Sequence, residues 1–480
     1  FDFMLSNPPY GKSWASEQKY IKDGKDVIDS RFIVNLADYW GNRSDVDATP
    51  RSSDGQLLFL MEMVGKMKPS SSNGIGSRIA SVHNGSSLFT GDAGGGESNI
   101  RRYIIENDLL DAIIQLPNNL FYNTGITTYI WLLSNNKAQN RKGKVQLIDA
   151  NNLYSKLRKN LGDKNCELEP KHIAKIMEVY SKFETYDDEI DGKKISSKIF
   201  DNSDFGYYKV QIERPKRLKA QFRDDLIETL KYDKTLEEAM IWCEQEYKEE
   251  CYNDLTKYKK AIEEHLDKND IELNTKQLKS LLSKELWKKH KMLVDTAKLL
   301  KEKIGTTTYD DFNIFKEKVE KILKEHKLSL SASEKNMILN AVSWYDETAQ
   351  KVIKKISKIS GDKLEKLCEN FGCEENELCD FGYYPTGKKD EFVEYESDTD
   401  LRDSENIPLK DDIYKYFLKE VKPHVQEAWI NLDSTKIGYE ISFNKYFYTH
   451  KPLRSLEEVG KDIVELENAS DGLIKEILGL

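Results

Sequence analysis

The chain opens on Phe1-Asp2-Phe3-Met4-Leu5-Ser6, a short apolar run of strand composition, and Asn7-Pro8-Pro9-Tyr10-Gly11 stops it because successive prolines cannot continue a ladder. A loop rich in Asp, Gly and Ser comes next. Residues 56–67 then read as a buried helix, ended between Pro69 and Gly76, and Arg78 to Val82 as a strand. The succession repeats with a glycine-rich loop from Gly91 to Gly96, a helix from Glu97 to Asn107 carrying Ile100, Ile104 and Ile105 on one face, and a strand from Leu110 to Leu116. Strands alternating with helices at this spacing predict a layered α/β sheet. Residues 118–134 give a loop and another strand with no helix between, which predicts an antiparallel hairpin at the sheet edge, extended by Val145 to Ile148.

From about Pro215 the pattern changes to runs rich in Lys, Glu and Leu, which predict a helical region continuing to residue 355. Residues 383–408 are polar and acidic and read as a linker; a helix over 410–420 and a compact aromatic segment from Gly438 to Tyr448 come after it. Leu456, Val459, Ile463, Leu466, Leu473, Ile477 and Leu480 recur at heptad spacing, interrupted at Ser470, and predict a coiled-coil-like helix whose seam packs on another helix. The expected segments are therefore 1–160, the strand-and-helix domain; 161–212, a connecting α/β segment; 213–382, helical; 383–452, linker and compact segment; and 453–480, the heptad helix. At roughly 150 residues per domain, 480 residues suggest about three structural units.

Composition narrows the possible functions. Charged residues are 32%, but 10% of the chain is aromatic, which fits long solvated helices rather than disorder. A net charge of −10 excludes coating of nucleic acid by bulk charge, so any such contact must be a local patch or lie on a partner. Two patches qualify. Arg214, Lys216, Arg217, Lys219 and Arg223 form a basic run suited to phosphates or an acidic partner face, or equally to a solvated helix start; Arg101-Arg102 is the second candidate for a phosphate backbone. The six cysteines form no C-x-x-C pair and read as free thiols of a reducing compartment. Cys368, Cys373 and Cys379 have no standard zinc-knuckle spacing, and the seven histidines, including His83 and His450, show no ligand pairing, so no metal is expected. No apolar stretch approaches the ~18 to 20 residues of a membrane span, and the expectation is a soluble, cytoplasmic chain whose true start lies upstream of Phe1.

Asn7-Pro8-Pro9-Tyr10 is the sharpest chemical signal. An amine conjugated to an aromatic ring is a poor nucleophile until its lone pair is localised. The Asn7 carboxamide oxygen and the Pro8 carbonyl could each accept one N–H, stabilise the positive charge that develops on the amine, and be held rigid by the prolines. Tyr10 would stack on a base extruded from the duplex, with Phe121 or Tyr122 as the opposite wall; alternatively those two aromatics plug a strand end.

FDFMLSNPPYG, SRIASVHNGSSLFTG, QLPNNLFYNTGITTYIWLLSNNK, DLRDSENIPL and GYEISFNKYFY together resemble the modification subunits of type I restriction-modification systems, the N6-adenine DNA methyltransferases. The resemblance implies a Rossmann-like, S-adenosylmethionine-dependent enzyme with residues 1–160 as the C-terminal part of its catalytic domain. It implies methyl transfer to adenine N6 in duplex DNA by base flipping, with Asn7, Pro8, Pro9 and Tyr10 catalytic and Asn7 bordering the cofactor. It also implies a specificity subunit, a restriction subunit, and two modification subunits per specificity subunit. In the family, strands and a glycine-rich cofactor loop precede the tetrapeptide. Gly91 to Gly96 does not replace that loop and reads as a flexible substrate-side loop, so this chain alone is expected not to methylate. A protein-glutamine methyltransferase, which uses the same tetrapeptide on another planar amine, and a non-catalytic assembly subunit are the alternatives.

Overall fold

The structure is a computed structural model and describes residues 1–70, 74–122, 124–448 and 455–478, excepting the side chains of 467, 469 and 471–478. Seven strands form the main sheet: β1 (Phe3–Ser6), β2 (Arg78–Asn84), β3 (Leu110–Gln115), β4 (Thr128–Ser134), β5 (Lys144–Asp149), and, beyond a separate hairpin of β6 (Ser155–Leu161) and β7 (Lys164–Glu167), β8 (Tyr186–Ile190) and β9 (Lys193–Asp201). Their order is β1-β2-β4-β3-β5-β9-β8. β1 runs parallel to β2 and β3 parallel to β5, while β4 lies antiparallel to both β2 and β3. Hence β1, β2, β3 and β5 all deliver their carboxyl ends to one edge of the sheet. The β3–β4 hairpin expected at the sheet edge is interior. The run from Thr128 to Ser134 is almost wholly buried, and a strand buried on both faces belongs between neighbours.

Successive side chains of each strand serve opposite faces. Ile113, Trp131, Leu133, Val145 and Leu147 pack on one side with α1 (Gln56–Gly65) and α2 (Gly96–Glu106). Ile114, Leu116 and Ile148 pack on the other with Ile176 and Val179 of α3 (Pro170–Lys182). α3 leaves that second face open beside β1: Phe3 and Leu5 are 69% and 84% exposed, and with Ala80, Leu132 and Met177 they line a groove of about 510 Å³. The loop expected between Gly11 and Gly55 holds a hairpin, Ile33–Ala37 with Arg43–Asp47, whose Val34 and Leu36 alternate into the core.

The chain divides into two compact units rather than about three: residues 1–209, 408–410 and 436–480, and residues 210–407 and 411–435. The connecting α/β segment expected over 161–212 carries α3 and two strands of the main sheet, β8 and β9. The aromatic stretch near the C-terminus also belongs to the first unit, where Tyr439, Ile441 and Phe443 enter its core. In the second unit, Lys284–Ile304 buries Leu293, Val294, Ala297 and Leu300 against Phe315 and Val319 of Phe312–Glu325. The expected linker 383–408 instead contains strand Glu391–Tyr395, paired with Ile353–Lys358, because Phe392 and Val393 are buried despite their acidic neighbours.

The terminal helix, Leu456–Leu478, forms as expected, and of its described seam residues Leu456, Ile463 and Leu466 are 91%, 59% and 70% exposed. Leu480 and His450 lie outside the described residues. No helix among the described residues is long and apolar enough to cross a membrane.

Candidate active site

At the carboxyl end of β1 the chain leaves the sheet through Asn7-Pro8-Pro9-Tyr10. Asn7 and Pro9 are exposed, Pro8 is buried, and Tyr10 is half-buried, with its hydroxyl pKa raised by that burial. Neither the Asn7 carboxamide nor the Pro8 carbonyl is taken up by a described residue, so two adjacent acceptors stand open at the sheet edge where α/β proteins gather ligands.

Immediately past the motif the chain is strapped down. Gly11, at φ +72°, donates its N–H to Asp54 Oδ1 at 3.0 Å. The Trp14 indole N–H reaches the Arg51 carbonyl at 2.9 Å, and its backbone N–H the Ser52 carbonyl at 2.9 Å. Gly55 permits this approach, since a Cβ there would lie 3.1 Å from Trp14 Cδ1. The other Asp54 oxygen accepts from Gln56 Nε2 at 2.7 Å and from the Ser86 hydroxyl at 3.0 Å, while Gln56 Nε2 also donates to Asn84 Oδ1 at 2.7 Å. Gln56 Oε1 in turn accepts from the Asn84 N–H at 3.1 Å. Asp54, Gln56, Asn84 and Ser86 therefore couple the turn after the motif to the carboxyl end of β2. Sequence reasoning missed all four; Asp54 falls in the stretch read as a loop and Gln56 at the start of the expected helix, with no pattern to mark either as part of a network. Behind them His83 is fully buried and meets Gln56 Oε1 at 3.2 Å, and burial pulls its pKa down to about 3, so the ring is neutral.

The aromatic loop after β3 leaves the same edge. Three strand spacings separate β1 from β3, roughly 14 Å. Phe121 is half-buried against the α3-side core, Tyr122 is 62% exposed, and neither ring contacts Tyr10. Gathering the two walls around one base requires the loops to lean over the ends of β2 and β4.

Two expectations about basic residues are corrected. Arg101 is fully buried, with Nε on the Tyr439 carbonyl at 2.6 Å and Nη1 on the Ser87 carbonyl at 3.2 Å; a guanidinium inside the core cannot meet a phosphate. Arg102 is 6% exposed and holds Glu106 and the Ala37 carbonyl, at 2.7 and 2.8 Å. In the second unit Arg217 is bidentate on Glu427, at 2.7 and 2.8 Å. Lys219 pairs with Asp310 and Asp346, and Arg223 with Asp225. Much of that run is thus already neutralised; Arg214 and Lys216 form no ion pair among the described residues.

The glycine-rich loop is packed rather than flexible and open. A Cβ on Gly96 would stand 1.7 Å from the Thr49 carbonyl oxygen, and one on Gly94 3.3 Å from Lys436 Cδ, so these glycines admit protein, not ligand. Among the described residues no group of three or more His, Cys, Asp or Glu side chains could hold a metal ion.

The sheet places an Asn-Pro-Pro-Tyr turn at the carboxyl edge of its parallel strands, and residues 1–215 match the model of the N-6 DNA methylase family. The same segment is similar to methylase subunits of type I restriction enzymes. It is 29% identical over 189 residues to the MjaIX methylase subunit of Methanocaldococcus jannaschii, covering 39% of this chain and 29% of that one. It is 30% identical over 181 residues to the MpnII methylase subunit of Mycoplasma pneumoniae, covering 38% and 28%. The chain spans about three tenths of the length of these relatives. Among solved structures, the type I restriction-modification methyltransferase subunit from Streptococcus thermophilus is 24% identical, with a TM-score of 0.30 over 43% of this chain and 35% of that one.

Proposed function

We propose that the first unit carries the amine-activating half of an adenine-specific DNA methyltransferase, the modification subunit of a type I restriction-modification system. The observation that carries this reading is the pair of free acceptors, the Asn7 carboxamide and the Pro8 carbonyl, on a turn whose far side is fastened through Asp54. Two fixed acceptors on one exocyclic amine draw its lone pair out of conjugation and stabilise the ammonium character of the transition state without reorganisation. Buried Pro8 and the Gly11–Asp54 bond keep those acceptors in place. Tyr10 and Phe121 hold the base once it leaves the duplex, with exposed Tyr122 as the alternative wall.

S-adenosylmethionine is the methyl donor that the family implies. The residues around the motif fit the base side of that reaction, but they form no cradle for the donor, since the one glycine-rich loop is filled by Thr49 and Lys436. The proposal is that Asn7 borders the donor and that the remaining donor-binding segments lie outside this chain, so that the chain alone does not methylate. The open edge and exposed Phe3 and Leu5 of β1 suit such a neighbour. The exposed Leu456, Ile463 and Leu466 of the terminal helix suit docking on a helix of the specificity subunit, with a restriction subunit completing the system and two modification subunits on each specificity subunit. The relatives being type I methylase subunits supports DNA over a protein glutamine as substrate.

The test is transfer of labelled methyl to adenine in unmodified duplex DNA by the full-length subunit assembled with its specificity subunit, beside Asn7→Ala. Label on adenine that falls at least ~100-fold in the variant is the expected result. A folded, donor-binding complex that labels no DNA overturns the reading.

A further inference from the structure

Arg101 and Arg102 are buried and offer no cation at the surface, whereas the β6–β7 hairpin carries exposed ones. The hairpin leaves the carboxyl end of β5, the neighbour of β3, and turns through Gly162-Asp163 with Gly162 at φ +64°. Residues 155–167 carry four basic side chains, Lys156, Arg158, Lys159 and Lys164, against two acidic ones, in a chain of net charge −10.

Its position is fixed on the aromatic loop. Asn165 donates its N–H to the Asn119 carbonyl at 3.1 Å, Asn119 Nδ2 donates to the Asp163 carbonyl at 2.9 Å, Lys164 Nζ to the Leu120 carbonyl at 2.9 Å, and Cys166 Sγ to the Asn118 carbonyl at 3.1 Å. Lys156 is the cross-strand partner of Cys166, so its side chain leaves the same face of the hairpin as the thiol that touches the loop. Lys156, Arg158 and Lys159 are all exposed and have no ion-pair partner among the described residues. Lysines and arginines elsewhere in the chain are widely paired, as in Lys219 with Asp310 and Arg217 with Glu427. Three unneutralised cations on a finger bolted to the loop that carries Phe121 form a surface for a polyanion.

We propose that the Ser155–Glu167 hairpin grips the phosphate backbone of duplex DNA beside the extruded base, through Lys156, Arg158 and Lys159. This rests on the proposed DNA-methyltransferase function and deepens it. Each phosphate contact contributes about 0.9 to the slope of log affinity against log salt concentration.

The experiment measures binding of a labelled duplex to the full chain by fluorescence anisotropy between about 50 and 200 mM salt. It compares the unaltered chain with the K156Q/R158Q/K159Q variant and with K260Q/K268Q/K276Q, three exposed lysines of the second unit. Expected is a loss of at least ~10-fold in affinity and a salt slope shallower by about 2 to 3 for the hairpin variant, with under ~2-fold change for the control. The hairpin side chains are exposed, so an unchanged thermal unfolding curve certifies the fold. Equal affinity and slope for the hairpin variant and the unaltered chain overturns the hairpin proposal alone, as does an equal loss in the control. A chain that binds no duplex even at the lowest salt overturns the DNA reading and the hairpin with it.

Discussion

The first unit's carboxyl sheet edge and the second unit's interior dispose of their polar groups in opposite ways. In the second, buried or half-buried charges close on one another: Glu213 is 2% exposed and takes Arg402 Nε on both oxygens at 3.0 Å, and Asp380 accepts from Lys422 at 2.5 Å and Tyr414 at 3.0 Å. In the first, the carboxyl edge of the sheet leaves Asn7, the Pro8 carbonyl and the hairpin cations without partners among the described residues, while the residues just behind them, Asp54, Gln56 and Asn84, are linked to each other. A satisfied network holds a scaffold, whereas unsatisfied groups on a rigid base are poised for something that arrives.

The sharpest way to break this contrast is to exchange the two kinds of position. Asn7→Ala removes a free, exposed acceptor, so unfolding in urea should shift by no more than ~0.5 kcal/mol even where methyl transfer falls ~100-fold. Arg101→Ala removes a buried guanidinium whose donors satisfy two carbonyls, and should cost roughly 3 kcal/mol of stability in the same urea titration. If Asn7→Ala destabilises as much as Arg101→Ala, the motif is structural and the contrast fails. Gly96→Ala comes next. Its methyl would overlap the Thr49 oxygen, so a loss of about 2 kcal/mol or more is expected, against a near-neutral Gly65→Ala, which meets nothing within 4 Å. A Gly96→Ala protein of unchanged stability would reopen that loop as a ligand site.

Much of this architecture was legible in the sequence. Period-3.6 and short apolar runs located α1, α2 and β1 to β5, and the double proline located the turn at the end of β1, because these signals are local. The position of β4 was not: whether a hairpin ends a sheet or sits inside it is decided by what pairs on its far side, and β2 lies about 45 residues upstream. Phe392 and Val393 were concealed by acidic neighbours: two adjacent apolar residues between glutamates read as a charged linker, although their strand is the central one of three. Arg101 misled for a related reason. Composition marks an arginine as available, whereas only the fold reveals that Tyr439, more than 300 residues later, brings a carbonyl to it.

A titration probes the linked network directly. The His83 imidazole is pulled down to about 3 in the fold, by burial first and against the opposing charge of Asp54; its unfolded value is near 6.5. Between those values the unfolded chain binds a proton that the native chain does not. This group's contribution to stability is therefore intact above about pH 6.5 and is lost as pH falls toward 3, at up to about 1.4 kcal/mol per pH unit. His83→Gln should leave a visibly shallower dependence of unfolding free energy on pH between about 4 and 6 than the unaltered chain shows. One common slope would mean that the ring behind Gln56 is charged in the fold, and that the network is arranged around a cation.

The smallest effect on the chain itself is expected at its terminal helix. Ile463 and Leu466 are more than half exposed, so Ile463→Ser and Leu466→Ser have little burial to lose, and the unfolding free energy should move by no more than ~0.5 kcal/mol. The same two substitutions should weaken co-purification with the proposed specificity subunit, because Ile463 and Leu466 are the exposed side chains offered to it. A large stability loss with unchanged co-purification would place the seam with the satisfied groups rather than the open ones.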